Sequence, residues 1–441
     1  MPLTTRLLAV ALTAAACLGA QALPAAAATG SDTEVSRGVT IPAFYNPPAE
    51  LPAANGTLIR SEPLPLALSL PAAGGPLPGT ATRIMYKSTD SNDKPVAVTG
   101  AYIEPSAPWK GPGPRPLVVV APGTMGQGDQ CAASMGLEHP LQLNGQTVSV
   151  GYEDLAIYRL LAQGTAVAVT DYVGLGATDR LHTYVNRLDE AHAVLDAVRA
   201  VHSVGGASVT SASRVGLFGY SQGGGATAAA AELQPAYAPE ITLSGTYAGA
   251  PPADLDVVTK AIDGSDLAAA VGWALNGFLQ SDPALQPIAD AYLSAKGRAA
   301  LADLSTMCVG DGILGYAFSK TSDWTVDGES LADIIDAQPA IRGYLDEQRI
   351  GTSKPTSPIR LATGVNDNLV PHSQARDLAV DWCAKGVNLT YQPVVLPNAG
   401  DALLNHFGPL LTDQGDAVTW LTDRLDGKTP VSNCWSMPLQ P

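Results

Sequence analysis

RVGLFGYSQGGGATAAAAEL, residues 214–233, is the stretch that decides the fold. The apolar run Val215 to Tyr220 predicts a buried strand, and the alanine-rich stretch after three glycines predicts a helix. Between them, Gly219-Tyr220-Ser221-Gln222-Gly223 spells G-x-S-x-G, a sharp strand-to-helix turn that presents a nucleophilic serine. The turn is so tight that side chains at 219 and 223 would collide, which is why both positions are glycine. The helix that follows points its N-terminal dipole at the reacting centre. The five letters alone recur by chance. The strand before them and the small-residue helix after them make the motif a nucleophile elbow rather than a Gly-rich turn with an incidental serine.

Working outward, strands and helices alternate on both sides. Arg83–Ser88 and Pro95–Ile103 alternate apolar and polar residues around SNDK and predict a β-hairpin. Leu117–Ala121 is a continuous apolar run suited to a central parallel strand. A helix over Ala156–Gln163, a strand over Ala166–Tyr172 and a helix over Tyr184–Val204 precede the elbow, and Thr242–Ala248 is a strand after it. The alternation resumes with a strand at Ile359–Thr363, a helix over 373–385, a strand over 389–396 and a helix over 409–425. This is an α/β chain with a mostly parallel central sheet, helices on both faces and right-handed crossovers.

Residues 253–348 break that rhythm. They carry no convincing strand and read as short helices at 257–263, 266–279, 283–295, 298–304, 330–336 and 339–348. Trp273, Leu275, Phe278 and Leu279 read as exposed apolar residues. An all-helical insertion between two core strands is expected to act as a lid or cap, the alternative being a plain packing subdomain. The expected organisation is a core of 29–252 and 349–441 around a 253–348 lid, with a Pro- and Gly-rich extended arm over 29–80.

Residues 1–28 read as a secretory signal. Arg6 is the only charge before Asp32, Leu7–Leu18 is apolar, and Ala26-Ala27-Ala28 offers a small-residue cleavage site. Removing this segment takes away one arginine and no acid, so the net charge of −16 becomes −17. So acidic a surface argues against nucleic acid and against stable association with anionic membranes. The apolar run is too short to span a membrane well. A secreted, extracellular monomer is expected. Cys17 leaves with the signal, and Cys131, Cys308, Cys383 and Cys434 remain for two disulfides in an oxidising compartment. Three connectivities are possible. Chain order favours Cys383 with Cys434 and Cys131 with Cys308.

A serine hydroxyl becomes a useful nucleophile when an imidazole takes its proton and a carboxylate fixes that imidazole's tautomer. In a chain built around such an elbow the order is serine, acid, histidine. His139, His182, His192 and His202 all precede Ser221, and the last three are accounted for by the polar face of a helix. Of the two that follow, His372 begins a helix beside the acid loop, whereas His406 follows the last strand in the loop AGDALLNHFGPLL. The acid should end the strand after the insertion, where IRLATGVNDNLVP places Asp367; Asp401 is its rival. Two amide donors should receive the oxyanion. One is Gln222, directly after the nucleophile. The other comes from the loop after Leu117–Ala121, where Thr124 is favoured over Gly126 and Gln127. No metal or cofactor motif is present: there is no H-E-x-x-H, no G-x-x-x-x-G-K-[ST] and no EF-hand loop.

FYNPPAEL, RIMYKSTDSNDKPVAVTGAYIEP, APGTMGQGDQCAAS, DYVGLG, GYSQGGGA and GVNDNLVPHSQARDLAVDWCAKG, in this order, resemble the secretory triacylglycerol lipase family of actinobacteria and yeasts. The resemblance runs from about Phe44 to Cys434. It implies an α/β-hydrolase fold with a helical lid after the sixth core strand, and hydrolysis of acyl esters. It also implies a Ser221, Asp367 and His406 triad, and disulfides Cys131–Cys308 and Cys383–Cys434. Yeast members supply an acidic side chain in the oxyanion loop; the segment here, GTMGQGDQC, departs from that pattern, and Asp129 does not align with the role. Some members also attack aromatic polyesters. The expected substrate is therefore a lipid-like or polymeric acyl ester. The alternatives are a short-chain esterase, a secreted acyltransferase, or a non-catalytic binding protein on a hydrolase fold.

Overall fold

The computed structural model describes residues 34–71, 76–144 and 146–441. The expected signal segment, residues 1–28, and parts of the N-terminal arm lie outside the described residues.

Nine strands form the central sheet: β1 (Leu58–Leu64), β2 (Gly79–Thr89), β3 (Pro95–Pro105), β4 (Leu117–Ala121), β5 (Ala166–Val173), β6 (Val215–Tyr220), β7 (Leu243–Gly249), β8 (Ile359–Gly364) and β9 (Leu389–Val394). Their spatial order is β9-β8-β7-β6-β4-β5-β3-β2-β1. The six strands from β9 to β5 are parallel. β3, β2 and β1 extend the sheet antiparallel at one edge. The arm is thus not wholly an extended wrap, since Leu58–Leu64 is the edge strand.

β4, β5 and β6 are buried along their whole length, as their near-continuous apolar runs require of strands covered on both faces. The helices that cover the sheet are α1 (Ala133–Glu138), α2 (Asp154–Ala162), α3 (Arg187–Val201), α4 (Gln222–Tyr237), α12 (His372–Ala384) and α13 (Ala402–Leu425). α3 begins at Arg187 rather than Tyr184 because Asn186 caps it, accepting from the amides of Leu188 and Asp189. In α4 the run of alanines is fully buried, and their small side chains let the helix lie close on the sheet.

Between β7 and β8 come α5 (Leu255–Ile262), α6 (Ala269–Ser281), α7 (Gln286–Tyr292), α8 (Ala295–Leu304), α9 (Val309–Tyr316), α10 (Leu331–Ala337) and α11 (Pro339–Glu347). These helices share an apolar cluster of their own. Two expectations are corrected here. α9 is an extra helix whose glycines at 310, 312 and 315 disguise it in the sequence; a capping box from Cys308 and Asp311 starts it. Trp273 and Phe278 are buried, not exposed. Trp273 donates from its indole to the Leu304 carbonyl, so it faces inward.

The last helix also begins earlier than its pattern implies. Asp401 caps it by accepting from the Leu404 amide, and the helix runs through Pro409. His406 therefore sits on a helix, not in a loop. Pro409 lacks the N–H that the Asn405 carbonyl would accept. At the same turn the Asn405 side chain bonds Ala399, Asn368 and Asn398.

Candidate active site

The geometry starts from the elbow. Ser221 has φ of 58° and ψ of −124°, a left-handed conformation that a non-glycine residue rarely adopts. A Cβ on Gly219 would lie 2.2 Å from the Gly223 carbonyl oxygen, and one on Gly223 would lie 2.0 Å from that of Ala121. Both glycines are therefore obligatory. The Ser221 amide donates to the Gly249 carbonyl at 2.9 Å, locking the turn to β7.

Asp367 lies in the tight turn that follows β8, its amide donating to the Gly364 carbonyl at 3.1 Å. Its Oδ1 accepts from the amides of Leu369 and Val370, at 3.1 and 3.0 Å, so the carboxylate is fixed before it meets any partner. Its Oδ2 lies 2.7 Å from His406 Nδ1, and His406 Nε2 lies 2.9 Å from Ser221 Oγ. The carboxylate can only accept, so Nδ1 carries the proton and donates it. Nε2 is left as the acceptor for the serine hydroxyl. His406 and Asp367 are 1 % and 5 % exposed, in a setting where such hydrogen bonds are little weakened by water. The Tyr220 hydroxyl donates to the His406 carbonyl at 2.7 Å, and the Phe407 and Tyr220 rings flank the imidazole.

The other residues singled out in the sequence fall apart from this chain of contacts. Asp401 is a helix cap. His372 Nε2 lies 3.2 Å from the Tyr391 hydroxyl and does not line the serine's pocket. Thr124, Gln222, Ser221 and His406 line one cavity. Neither the Thr124 nor the Gln222 amide is bonded to an acceptor among the described residues. Gln127, a rival donor, has its amide committed to the Met307 carbonyl at 2.8 Å, and neither it nor Gly126 lines the cavity. Asp129 does not line the cavity, and burial pushes its carboxyl up to about 8.

The loop that carries Thr124 is held at every step. The Gly123 amide donates to Glu153 at 2.7 Å, the Pro122 carbonyl accepts from Tyr172, and the Thr124 carbonyl accepts from Tyr152. Thr124 Oγ lies 2.7 Å from the Tyr184 hydroxyl. Glu153 is fully enclosed, and burial pushes its carboxyl up to about 7. A disulfide between Cys131 and Cys308 joins this loop region to the segment before α9, and a second joins Cys383 to Cys434.

His182 corrects a further expectation. It is not on the polar face of a helix but buried behind the elbow. Its Nδ1 donates to the Val173 carbonyl, so its Nε2 accepts, at 3.1 Å, from the Gln222 side-chain amide. Burial lowers its pKa to about 4, which keeps it neutral. Glu190 lies beside it, accepting from Gln222 Nε2 at 2.8 Å; burial pushes its carboxyl up to about 8. Sequence reasoning missed Glu190 and Glu153 altogether. Glu190 stands in the first turn of α3, where an acid reads as a solvated partner of the helix dipole.

Most of the cavity's lining is apolar, drawn from α5 and α6 on one side and Leu369 and Val370 on the other. A second cavity, almost wholly apolar, lies within the inserted helices and shares Phe278 with the first. Among the described residues no group of three or more histidines, cysteines or acids could hold a metal ion, and no helix is long and apolar enough to cross a membrane.

The secretory lipase family model matches residues 137–433, more than half of the sequence, and the chain belongs to that family. A protein of Mycobacterium tuberculosis named a probable inactive lipase is 29% identical over 87% of this chain and 82% of its own. Lipase A of Arthroderma benhamiae is 28% identical over 89% of this chain and 80% of its own. The X-ray structure of Candida antarctica lipase A in its closed state superposes with a TM-score of 0.73 at 22% identity, covering 88% of this chain and 86% of that one. The fold is the α/β-hydrolase fold.

Proposed function

We infer that this chain is a secreted serine carboxylester hydrolase, a lipase or esterase that works through an acyl-enzyme on Ser221. The observation that carries this reading is the unbroken run of hydrogen bonds from Ser221 Oγ through His406 to Asp367. His406 Nε2 takes the hydroxyl proton as Oγ attacks the ester carbonyl. Asp367 holds the imidazole's tautomer and stabilises the imidazolium. The carbonyl oxygen gains charge and is received by the amides of Gln222 and Thr124. His406 then gives its proton to the departing alcohol. In the second half it takes a proton from water, which attacks the acyl carbonyl, and returns that proton to Ser221 Oγ as the acyl–Oγ bond breaks and the acid leaves.

Residues 253–348 are proposed to form a lid over a core of 29–252 and 349–441, and residues 1–28 a cleaved signal. The apolar lining of the cavity and the second cavity behind Phe278 favour a long acyl chain over a short one, and with it a triacylglycerol-like substrate. The protein is proposed to act as an extracellular monomer. An inactive family member would be expected to lack a catalytic side chain; here serine, histidine and acid are all present and mutually bonded.

The test is initial-rate hydrolysis of p-nitrophenyl esters from acetate to palmitate, with Ser221→Ala as control. Serine-dependent activity that extends to long chains supports a lipase. Activity confined to acetate and butyrate makes the protein a short-chain esterase and brings polyesters forward as substrates. Equal rates for the wild type and Ser221→Ala would overturn the reading.

A further inference from the structure

Behind the elbow lies a buried cluster that the reaction steps above do not use. Glu190 is fully buried on the first turn of α3, and its Oε1 accepts twice: from Gln222 Nε2 at 2.8 Å and from the Val185 amide at 3.0 Å. The other proton of the Gln222 amide group points at His182 Nε2. One acid and one neutral imidazole thus grip the side chain of Gln222, a residue that lines the cavity and whose amide has no acceptor among the described residues.

The second contact reaches the opposite donor. Val185 has φ of 57°, a conformation that a β-branched residue adopts only under constraint. Its bond to Glu190 holds it there. Its neighbour Tyr184 is thereby set with its hydroxyl 2.7 Å from Thr124 Oγ. The segment is fixed from a third side by Gln127, whose side chain donates to the carbonyls of His182 and Trp273, at 2.9 and 3.0 Å.

We propose that Glu190 is a positioning residue for the oxyanion pocket, fixing through Gln222 and through Val185–Tyr184 the two amides that receive the developing charge. The inference rests on the serine hydrolase reading above and assigns the geometry of its oxyanion pocket to a carboxyl group that touches neither substrate nor triad. A pocket of this kind acts only when its donors are set for the transition state, so loosening it lowers kcat and leaves ground-state binding largely unchanged.

The test compares wild type, Ser221→Ala, Glu190→Ala, Glu190→Gln, Gln222→Ala and the Glu190→Ala/Gln222→Ala double variant on p-nitrophenyl butyrate. Thermal unfolding is recorded for each. Loss of activity in Ser221→Ala establishes the parent reading independently. The expected result is a fall in kcat of about 10- to 100-fold in Glu190→Ala with KM within about threefold of wild type. Gln222→Ala, which keeps the backbone N–H, falls in the same direction, and the double variant is no worse than the poorer single. Glu190→Gln, which keeps the accepting oxygen, recovers most of the rate. If Glu190→Ala does not fold, Glu190→Gln and Gln222→Ala carry the test. Gln222→Ala with kcat unchanged, or Glu190→Ala with a lowered melting temperature and kcat within threefold of wild type, would overturn the proposal. Fully additive losses in the double variant would do the same.

Discussion

The Tyr220 hydroxyl donates a 2.7 Å hydrogen bond to the main-chain carbonyl of His406, 186 residues further along the chain. Tyr220 is the last residue of β6, directly before Ser221, so one strand end positions both the nucleophile and the backbone of its base. Its ring is fully buried against the imidazole, 5.3 Å between centroids. Tyr220→Phe keeps the ring and removes only the hydroxyl. The expected outcome is a loss of about 1–2 kcal/mol in stability and a severalfold fall in kcat, read by thermal unfolding and steady-state kinetics. An unchanged kcat would show that the imidazole is held without this bond.

Asp367 and Asp401 were rivals for the acid, and the geometry separates them. Asp367→Asn should lower kcat by about 10³- to 10⁴-fold, because an amide no longer enforces the Nδ1–H tautomer. Asp401→Ala should cost about 1 kcal/mol as a lost helix cap, measured by unfolding, and Asp401→Asn, which still caps, should leave the rate within about twofold. A reversed pattern would return the role to Asp401.

Burial raises four carboxyls far above their ordinary values: Asp129 and Glu190 to about 8, Glu153 and Asp154 to about 7. Each binds its proton more tightly folded than unfolded. Their stabilisation is full at acid pH, below the unfolded values, and is lost as pH rises through 7 and 8. His182, lowered to about 4, and His202 and His372, also lowered by burial, work in the opposite sense, losing stability as pH falls below 6.5, but the carboxyls raised by burial outnumber them. The melting temperature should therefore decline from pH 5 to pH 9. Glu153→Gln or Glu190→Gln should flatten that slope by an amount of order a few kcal/mol across the range. A stability that rises steadily over this interval would contradict the burial of these acids.

The two disulfides close chain separations of 177 and 51 residues. Chain-entropy arguments give about 5 and about 4 kcal/mol respectively. The larger functional effect should follow from Cys131→Ser/Cys308→Ser, because the 307–309 backbone bonds the 125–127 backbone beside Thr124. Loss of the Cys383–Cys434 bridge should lower the melting temperature with little change in kcat. Both are read by unfolding and initial rates of the two double variants.

The cavity inside the inserted helices predicts chain-length dependence. Ala289 is one of its linings. Ala289→Phe should fill it and lower palmitate hydrolysis about tenfold while sparing acetate. Equal effects on both esters would remove this cavity from the acyl-binding path.

The parallel core was legible because β4 and β6 are apolar runs buried on both faces, and because the elbow's glycines are dictated by contacts of 2.0–2.2 Å that no other residue survives. Chain order, together with placement just past the strand after the insertion and past the last strand, singles out Asp367 and His406 as the proposed acid and base. The element around His406 was misread because Gly408-Pro409 looks like a helix start, whereas Asp401 begins the helix eight residues before the proline. α9 was missed because its glycines carry no helical signal. The buried polar scaffold of Glu190, His182 and Glu153 was invisible for a different reason. Whether an acid in a first helical turn faces water or the core depends on residues such as Gln222 and Gly123, brought beside it only by the tertiary fold.

The central claim, that Ser221 is an activated nucleophile, is tested most directly by covalent labelling. The protein is treated with a p-nitrophenyl alkylphosphonate, and the modified peptide is located by mass spectrometry. The prediction is one adduct per chain, on the peptide containing Ser221, formed in step with loss of ester hydrolysis and absent in Ser221→Ala and His406→Ala. Labelling elsewhere, or ester hydrolysis that survives full modification of Ser221, would contradict it.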